Sequence, residues 1–408
     1  MTLGEKIKVR RKQMKLTLKE LAGDDISYSL ISQIENNKAN PSMDTLNMIA
    51  SKLQLPVSDL LSEKQSIDGK ELLKTAENLW TTNYERDIEV DKTIKQNIAA
   101  YLPQLSFHTY EEVRLIELYC MSTYYVTKEW PNEQFKQVVQ FYKQFGHVRR
   151  ALQASLFLIQ IKLQQQRYEQ VLGAAETVAT YAQGHKHILD ATQLIDVYYM
   201  KAVVESGAGN YEEASQSLEQ CLTISSQHSM YSKHARILQL ICFVTYQLQQ
   251  HSGIEQLLKQ FNAYVSFTKN YFEKGLYEYV HFFMQNRLQH TSELSSVIQK
   301  FIKDESSKDG YTLSPIFKQE LAFAYYTEKR FEQVIETMQD YHLPPYLTHP
   351  LDVANYYEIQ AMLATSYNEI GERKKAVELI IDVKQKMTDL PNSTFKHAVE
   401  KHYEHLLY

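Results

Sequence analysis

Along almost the whole chain apolar residues recur every three or four positions, the spacing of helices that bury one side. The first sixty positions hold short helices with legible ends. Leu3, Ile7 and Met14 give the first its apolar side. Thr17 and Glu20 then form a Thr-x-x-Glu capping box opening a second, which Gly23 ends after Ala22. Ser27 caps a third helix, and the turn Asn36–Pro41 leads to Ser42, the cap of a fourth with Leu46, Ile49, Ala50 and Leu53 on its apolar side. A fifth, Val57 to Leu61, follows Pro56. In the third helix Ile31 and Ile34 point inward, which leaves Ser29, Ser32, Gln33 and Asn36 on the outer side. Short polar side chains with a glutamine suit base edges, because glutamine bonds an adenine edge through two contacts.

Beyond residue 70 the pattern stays helical with few turns, and it repeats. Gly-Asn-Tyr-Glu-Glu-Ala at 209–214 is echoed by Arg-Tyr-Glu-Gln-Val at 167–171, Arg-Phe-Glu-Gln-Val at 330–334 and Gly-Glu-Arg-Lys-Lys-Ala at 371–376, with weaker copies at 253–258 and 291–294. The packing positions Val171, Ala214, Leu257, Leu294, Val334 and Ala376 are spaced by 43, 43, 37, 40 and 42 residues. Ala202, Ala322 and Ala364 stand twelve residues before three of them. These units resemble degenerate tetratricopeptide repeats, whose usual period is about 34. The Trp and the repeat-ending Pro of that pattern are missing. Stacked hairpins of this kind form a superhelix with an inner face made by the first helices. The alanine register assigns to that face Gln153, Gln160, Tyr199, Gln239, Tyr246, Tyr279, Asn286, Gln319, Tyr326 and Asn368. Amides and tyrosines suit an extended peptide, replacing its backbone partners and burying its side chains. The same tyrosines equally suit a helical core. Arg150, beside Arg149, is a candidate clamp for a carboxylate.

Composition narrows the class. Twelve glycines and nine prolines in 408 residues exclude a loop-rich or collagenous chain, and 44% hydrophobic content excludes global disorder. The three cysteines, without a CxxC pair, exclude a disulfide scaffold and a cysteine zinc site and fit a reducing cytosol. The lysine- and arginine-rich start is not followed by an apolar stretch, and no window approaches a membrane span, so a cytoplasmic protein without membrane attachment is expected. His185-x-His187 and the scattered histidines lack acidic or cysteine partners at ligand spacing, so no metal is expected. With no Gly-x-Ser-x-Gly, P-loop or HExxH pattern, neither a catalytic constellation nor a cofactor site is expected. The net charge of −5 is uneven. Residues 1–64 hold ten Lys/Arg against eight Asp/Glu, and the rest 34 against 41. A mildly basic head on an acidic body points to nucleic-acid contact by the head alone.

Leu-Gly-Glu-Lys-Ile (3–7), Leu-Lys-Glu-Leu-Ala (18–22), Leu-Ile-Ser-Gln-Ile-Glu-Asn-Asn-Lys (30–38), Asn-Pro-Ser (40–42) and Leu-Asn-Met-Ile-Ala (46–50) resemble the phage-repressor (XRE) class of helix-turn-helix domain. The resemblance implies base contacts from Tyr28, Ser29 and Gln33, next to Ser32 on the same outer side, and backbone contacts from Thr17, Leu18, Asn36, Asn37 and Lys38. It also implies a structural pair, Arg10 with Glu35. The turn Gly23–Ser27 departs from the family by carrying Asp24 and Asp25, two charges that weaken contact with phosphates.

The expected architecture is therefore all-α: a five-helix helix-turn-helix domain at 1–64, a linker at 65–75, and a right-handed superhelix of tetratricopeptide-like hairpins at 76–408. This layout resembles the Rap, Rgg, NprR and PlcR group of peptide-pheromone regulators, most of all its NprR-like branch. The resemblance implies a dimer or higher homo-oligomer that binds a palindromic operator in double-stranded DNA and a short signalling peptide, with no enzymatic activity. The alternative it leaves open is a Rap-like adaptor that sequesters a response regulator or promotes its dephosphorylation.

Overall fold

The computed structural model describes residues 3–408 except 24, 58–59, 61–68, 84–86, 165–167, 290–292, 307–313 and 346. Among the described residues the chain is helical, with no strand. It divides into two compact units, Met1–Val138 and Val139–Tyr408.

The first unit opens with α1 (Leu3–Gln13), α2 (Leu18–Ala22), α3 (Tyr28–Glu35) and α4 (Met43–Lys52). Thr17 and Glu20 form the expected box, the Glu20 N–H donating to Thr17 Oγ1 at 3.2 Å and the Thr17 N–H to Glu20 Oε2 at 2.6 Å. Ser27 and Ser42 cap α3 and α4. Gly23 turns the chain at φ 60°, and Lys52 Nζ closes this corner by donating to the Ala22 carbonyl at 2.7 Å. Ile7, Leu21, Ile31, Ile34, Leu46, Ile49 and Leu53 fill one small core. α1 crosses α3 at Gly4, where an added Cβ would sit 2.0 Å from the Ile34 carbonyl oxygen, so only glycine fits. Most of the expected fifth helix lies outside the described residues, but Leu60 is buried in the same core.

One expectation is corrected here. Glu35 pairs with Arg11, not Arg10, through Nε–Oε1 at 2.6 Å and Nη2–Oε2 at 2.8 Å. Arg10 instead donates to the Leu53 carbonyl at 3.2 Å. Neighbouring helix positions point about 100° apart, and residue 11, one step beyond residue 10, faces the end of α3. The unit continues with α5 (Gly69–Thr82), α6 (Ile88–Ala99) and α7 (Tyr110–Thr127), which share a core of Leu73, Ala76, Ile94, Ile98, Leu115 and Leu118. α8 (Asn132–Gln144) runs across the division between units.

The second unit is a succession of hairpins: α9 (Val148–Gln164) with α10 (Tyr168–Gly184), α11 (Ala191–Gly207) with α12 (Tyr211–His228), and α13 (His234–Gln247) with α14 (Ile254–Thr268). α15 (Tyr271–Met284) runs into a π-helical turn, Gln285–Gln289, before α16 (Leu294–Ser306). Then come α17 (Ser314–Thr327) with α18 (Phe331–Met338), α19 (Pro350–Glu369) with α20 (Arg373–Met387), and a last helix α21 (Thr394–Leu407). The alanine ruler is sound: Ala202, Ala322 and Ala364 are fully buried, as are Val171, Ala214, Val334 and Ala376. Leu257 is the exception and is half-buried, because Ile254, Leu258, Phe261 and Val265 carry the apolar seam of α14 one residue later.

Candidate nucleic-acid interface and inner face of the repeats

α3 is held from behind and open in front. Ile31 and Ile34 are in the core, and Glu35 is locked by Arg11, whose Nη1 also donates to the Leu16 carbonyl at 2.8 Å. The hydrogen bond to Glu35 raises the Arg11 pKa above its ordinary value, against the opposing effect of burial. Tyr28, Ser29, Gln33, Asn36, Asn37 and Lys38 are exposed and Ser32 is half-buried, which makes one polar front from the start of α3 to the turn after it. Asn36 Nδ2 donates to the Ser32 carbonyl at 2.8 Å, and Asn37 turns the chain at φ 55°, which sets Lys38 beyond the helix end. Thr17 is exposed and Leu18 half-buried at the start of α2. Asp25 is exposed; Asp24 lies outside the described residues.

The eleven inner-face candidates do not share one environment. Gln153 and Gln160 are exposed, and Arg150 Nη1 meets Gln153 Oε1 at 3.5 Å. Tyr199, Gln239, Tyr246, Tyr326 and Asn368 are half-buried. Lys233 Nζ lies 5.8 Å from the Tyr199 ring centre, and burial pushes the Tyr199 hydroxyl up to about 12. Tyr326 packs on Phe331 and His402, and Asn368 accepts a hydrogen bond from Arg373 at 2.9 Å. Tyr279, Asn286 and Gln319 are buried and drawn into one cluster.

The centre of that cluster is Arg287, on the π-helical turn, which the alanine register did not select. Its guanidinium lies 3.8 Å from the Phe283 ring centre and 4.2 Å from that of Phe323. Nη1 donates to Glu320 Oε2 at 3.0 Å; Nη2 donates to Glu358 Oε2 at 2.8 Å and to Asn355 Oδ1 at 2.6 Å. Asn286 Nδ2 donates to Glu320 Oε2 at 2.8 Å, Asn355 Nδ2 to Gln319 Oε1 at 3.3 Å, and Gln319 Nε2 to the Tyr341 hydroxyl at 2.9 Å. Burial works against the arginine's charge, but Glu320 and Glu358 outweigh it and its pKa stands above the ordinary value. Burial also pushes the Glu358 carboxyl up, a shift that Arg287 opposes. Two carboxylates on one guanidinium leave an excess of negative charge in a low-dielectric interior. Asp352, near Tyr168, Tyr199 and Tyr279, adds to it with a carboxyl that burial pushes up to about 7. The sequence signal for this cluster was polar residues interrupting apolar helices, Asn286-Arg287 and Asn355 with Glu358, whose partners are far apart in the chain.

The end of the chain packs back on several of these hairpins. Tyr211 donates to the Asn392 carbonyl at 2.8 Å, and the Thr394 N–H to Gln247 Oε1 at 2.8 Å. His349 Nδ1 accepts from the Leu351 N–H, so the proton is on Nε2, which lies 3.2 Å from the Val203 carbonyl. Phe395 packs against Tyr246 and Phe283. Phe395 and His402 of α21 thus cover two of the candidates, Tyr246 and Tyr326. A cleft of about 520 Å³ remains along this seam, lined by Tyr168, Gly207, Thr348, Pro350, Tyr357 and Pro391 among others. The described residues hold no cluster of metal-ligating side chains, and none of the described helices is long and apolar enough to cross a membrane.

Comparison with known proteins agrees with this division. Residues 7–60 match the helix-turn-helix family, and residues 195–228, within α11 and α12, match the tetratricopeptide repeat. The immunity repressor protein of Bacillus phage phi105 is 35% identical over 89 residues, 22% of this chain; the match spans 58% of that relative's length. The structure of aspartyl phosphate phosphatase F from Bacillus subtilis superposes with a TM-score of 0.50 at 17% identity, covering 84% of this chain and 94% of the other. This is a likeness of fold. PlcR of Bacillus thuringiensis, solved with the peptide PapR7 and DNA, gives 0.36 at 19% identity, covering 67% and 98%. Head and body together give the chain a helix-turn-helix domain followed by a body of helical hairpins that contains a tetratricopeptide repeat.

Proposed function

We propose that the chain regulates transcription by binding operator DNA through α3 and a short signalling peptide through the inner side of its repeats, the peptide changing conformation or oligomeric state. Residues 1–64 form the DNA-binding domain, 65–75 the linker, and 76–408 the peptide-binding and oligomerising domain. The observation that carries this reading is α3, buried through Ile31, Ile34 and Glu35 while Tyr28, Ser29 and Gln33 stand exposed. Ser32, Thr17 and Leu18 complete the base- and backbone-contacting set, with Asn36, Asn37 and Lys38 on the phosphates. Two such heads in a homodimer read half-sites about 34 Å apart. The peptide lies along Tyr199, Gln239 and Tyr246, whose half-buried side chains stand ahead of the Tyr279, Asn286 and Gln319 cluster; Arg150, Gln153, Gln160, Tyr326 and Asn368 flank it. A hundredfold change in DNA affinity requires about 2.7 kcal/mol of difference in peptide affinity between the two arrangements.

A mobility-shift titration on duplexes from the promoter beside its own gene, with and without the secreted peptide of a neighbouring short reading frame, tests this. The expected result is a shift that Gln33→Ala weakens, with sequence preference relaxed, and that peptide alters. Binding that survives Gln33→Ala with its sequence preference intact removes α3 from readout. The fold shared with aspartyl phosphate phosphatase F supports a second reading, an adaptor that captures a response regulator. Under that reading pull-down of response regulators survives Gln33→Ala.

A further inference from the structure

In residues 139–408 four consecutive junctions lead into the first helix of a hairpin, and each exposes an apolar side chain in the connection or in the last turn of the helix before it. They are Phe145 before α9, Ile188 before α11, Met230 and Tyr231 before α13, and Phe267 in the last turn of α14. Phe267 is 85% exposed and Phe145 57%. Each junction also exposes a lysine two residues from the apolar one: Lys143 in the last turn of α8, and Lys186, Lys233 and Lys269 in the connections.

The connections adjoin. Arg149 donates to the Ile188 carbonyl at 3.2 Å, Lys233 pairs with Asp196 at the start of α11, and Arg236 lies 5.7 Å from the Phe272 ring centre. In stacked hairpins such connections share one edge. Helix C-termini attract cations, which accounts for the lysines alone. It does not account for an exposed aromatic or aliphatic residue beside each, since water-facing apolar groups in a row mark an interaction surface. Asp196 is taken up by Lys233, and Asp190 spends one oxygen capping α11 at 2.9 Å from the Gln193 N–H, so the positive charge of this edge rests on Lys143, Lys186 and Lys269.

We infer that this edge docks an acidic protein surface with apolar side chains among its carboxylates. Charge decides the occupant. A two-fold pairing of this edge with itself sets lysines against lysines, so a second copy is disfavoured. Residues 65–408 carry a net −7, which repels an extended polyanion such as duplex DNA or an anionic bilayer, whereas a narrow protein surface meets only the basic edge.

Fluorescence anisotropy of the full chain with a labelled peptide of repeated Glu, Leu and Phe tests this, in parallel with phosphatidylglycerol vesicles and duplex DNA lacking an operator. Phe267→Ser with Tyr231→Ser, and separately Lys186→Glu with Lys269→Glu, weaken peptide binding at least about tenfold. These residues are exposed, so both variants keep the parent's melting temperature and operator shift, which separates failure of this edge from failure of the head. Equal peptide affinity in the variants overturns the inference. So does binding of vesicles or of the DNA that is stronger than peptide binding and lost in the same variants.

Discussion

Replacing Glu35 by alanine isolates what holds the recognition helix in place. Its carboxylate accepts two hydrogen bonds from Arg11, and the two side chains are 3% and 12% exposed. The substitution leaves a guanidinium with the Leu16 carbonyl as its remaining partner at 2.8 Å. Stranding one member of a buried pair costs about 3–5 kcal/mol, and the slight exposure of Arg11 places this case near about 3. A domain's whole stability is about 5–15 kcal/mol, so the loss is a large fraction of it. Hydrogen exchange of the Leu30–Ile34 amides reads it directly, because exchange follows the local opening free energy. About 3 kcal/mol is a rate increase of somewhat more than a hundredfold. Exchanging both partners for apolar residues, Arg11→Met with Glu35→Leu, recovers most of the protection, because neither charge is then left alone. Exchange in Glu35→Ala at the parent rate refutes the reasoning. So does an equal effect from Arg10→Ala, which loses only the bond to the Leu53 carbonyl.

Three further outcomes follow from the structure. Gln33→Ala weakens operator binding by about 1–3 kcal/mol and relaxes preference at one base pair, whereas Lys38→Ala weakens all duplexes alike and lowers the salt slope by about 1; titrations at several salt concentrations separate the two. Arg287→Met leaves Glu320 and Glu358 buried without their counter-charge and costs about 3–5 kcal/mol, seen as a lower melting temperature of the body; an unchanged melt removes the pair from the stability of the fold. Burial lowers His349 from 6.5 to about 4, so the unfolded chain takes up that proton first and stability falls as pH drops from about 6.5 toward 4. Asp352, raised by burial from 3.8 to about 7, acts in the opposite sense, its contribution fading as pH rises through that window. His349→Asn therefore makes the protein more stable at the acid end relative to the neutral end in thermal melts between pH 7 and 4, and an unaltered slope contradicts the assignment.

The head was legible to the level of single caps. Thr17, Ser27 and Ser42 act on residues two or three positions away, so their hydrogen bonds are written in local order. Arg11 against Arg10 was not, because that choice depends on how α1 is rotated over α3, which the close approach at Gly4 decides. In the body the alanine register found the buried packing positions, since a small residue is needed wherever two helices cross closely. It placed Tyr279, Asn286 and Gln319 on a common side but did not show that they are enclosed. Nor did it find Arg287, whose position is shifted by the π-helical turn out of the regular helical count.

By itself the sequence determined which segments are helical and that the body repeats, because periodicity, capping and small-residue spacing are properties of neighbouring positions. Only the tertiary structure decided that residues 348–349 and 391–395 return to α10–α13, and that one arginine gathers carboxylates from α17 and α19. Those partners are dozens of residues apart, and contacts at such range depend on the accumulated turn of each hairpin on the last, a quantity no local pattern encodes.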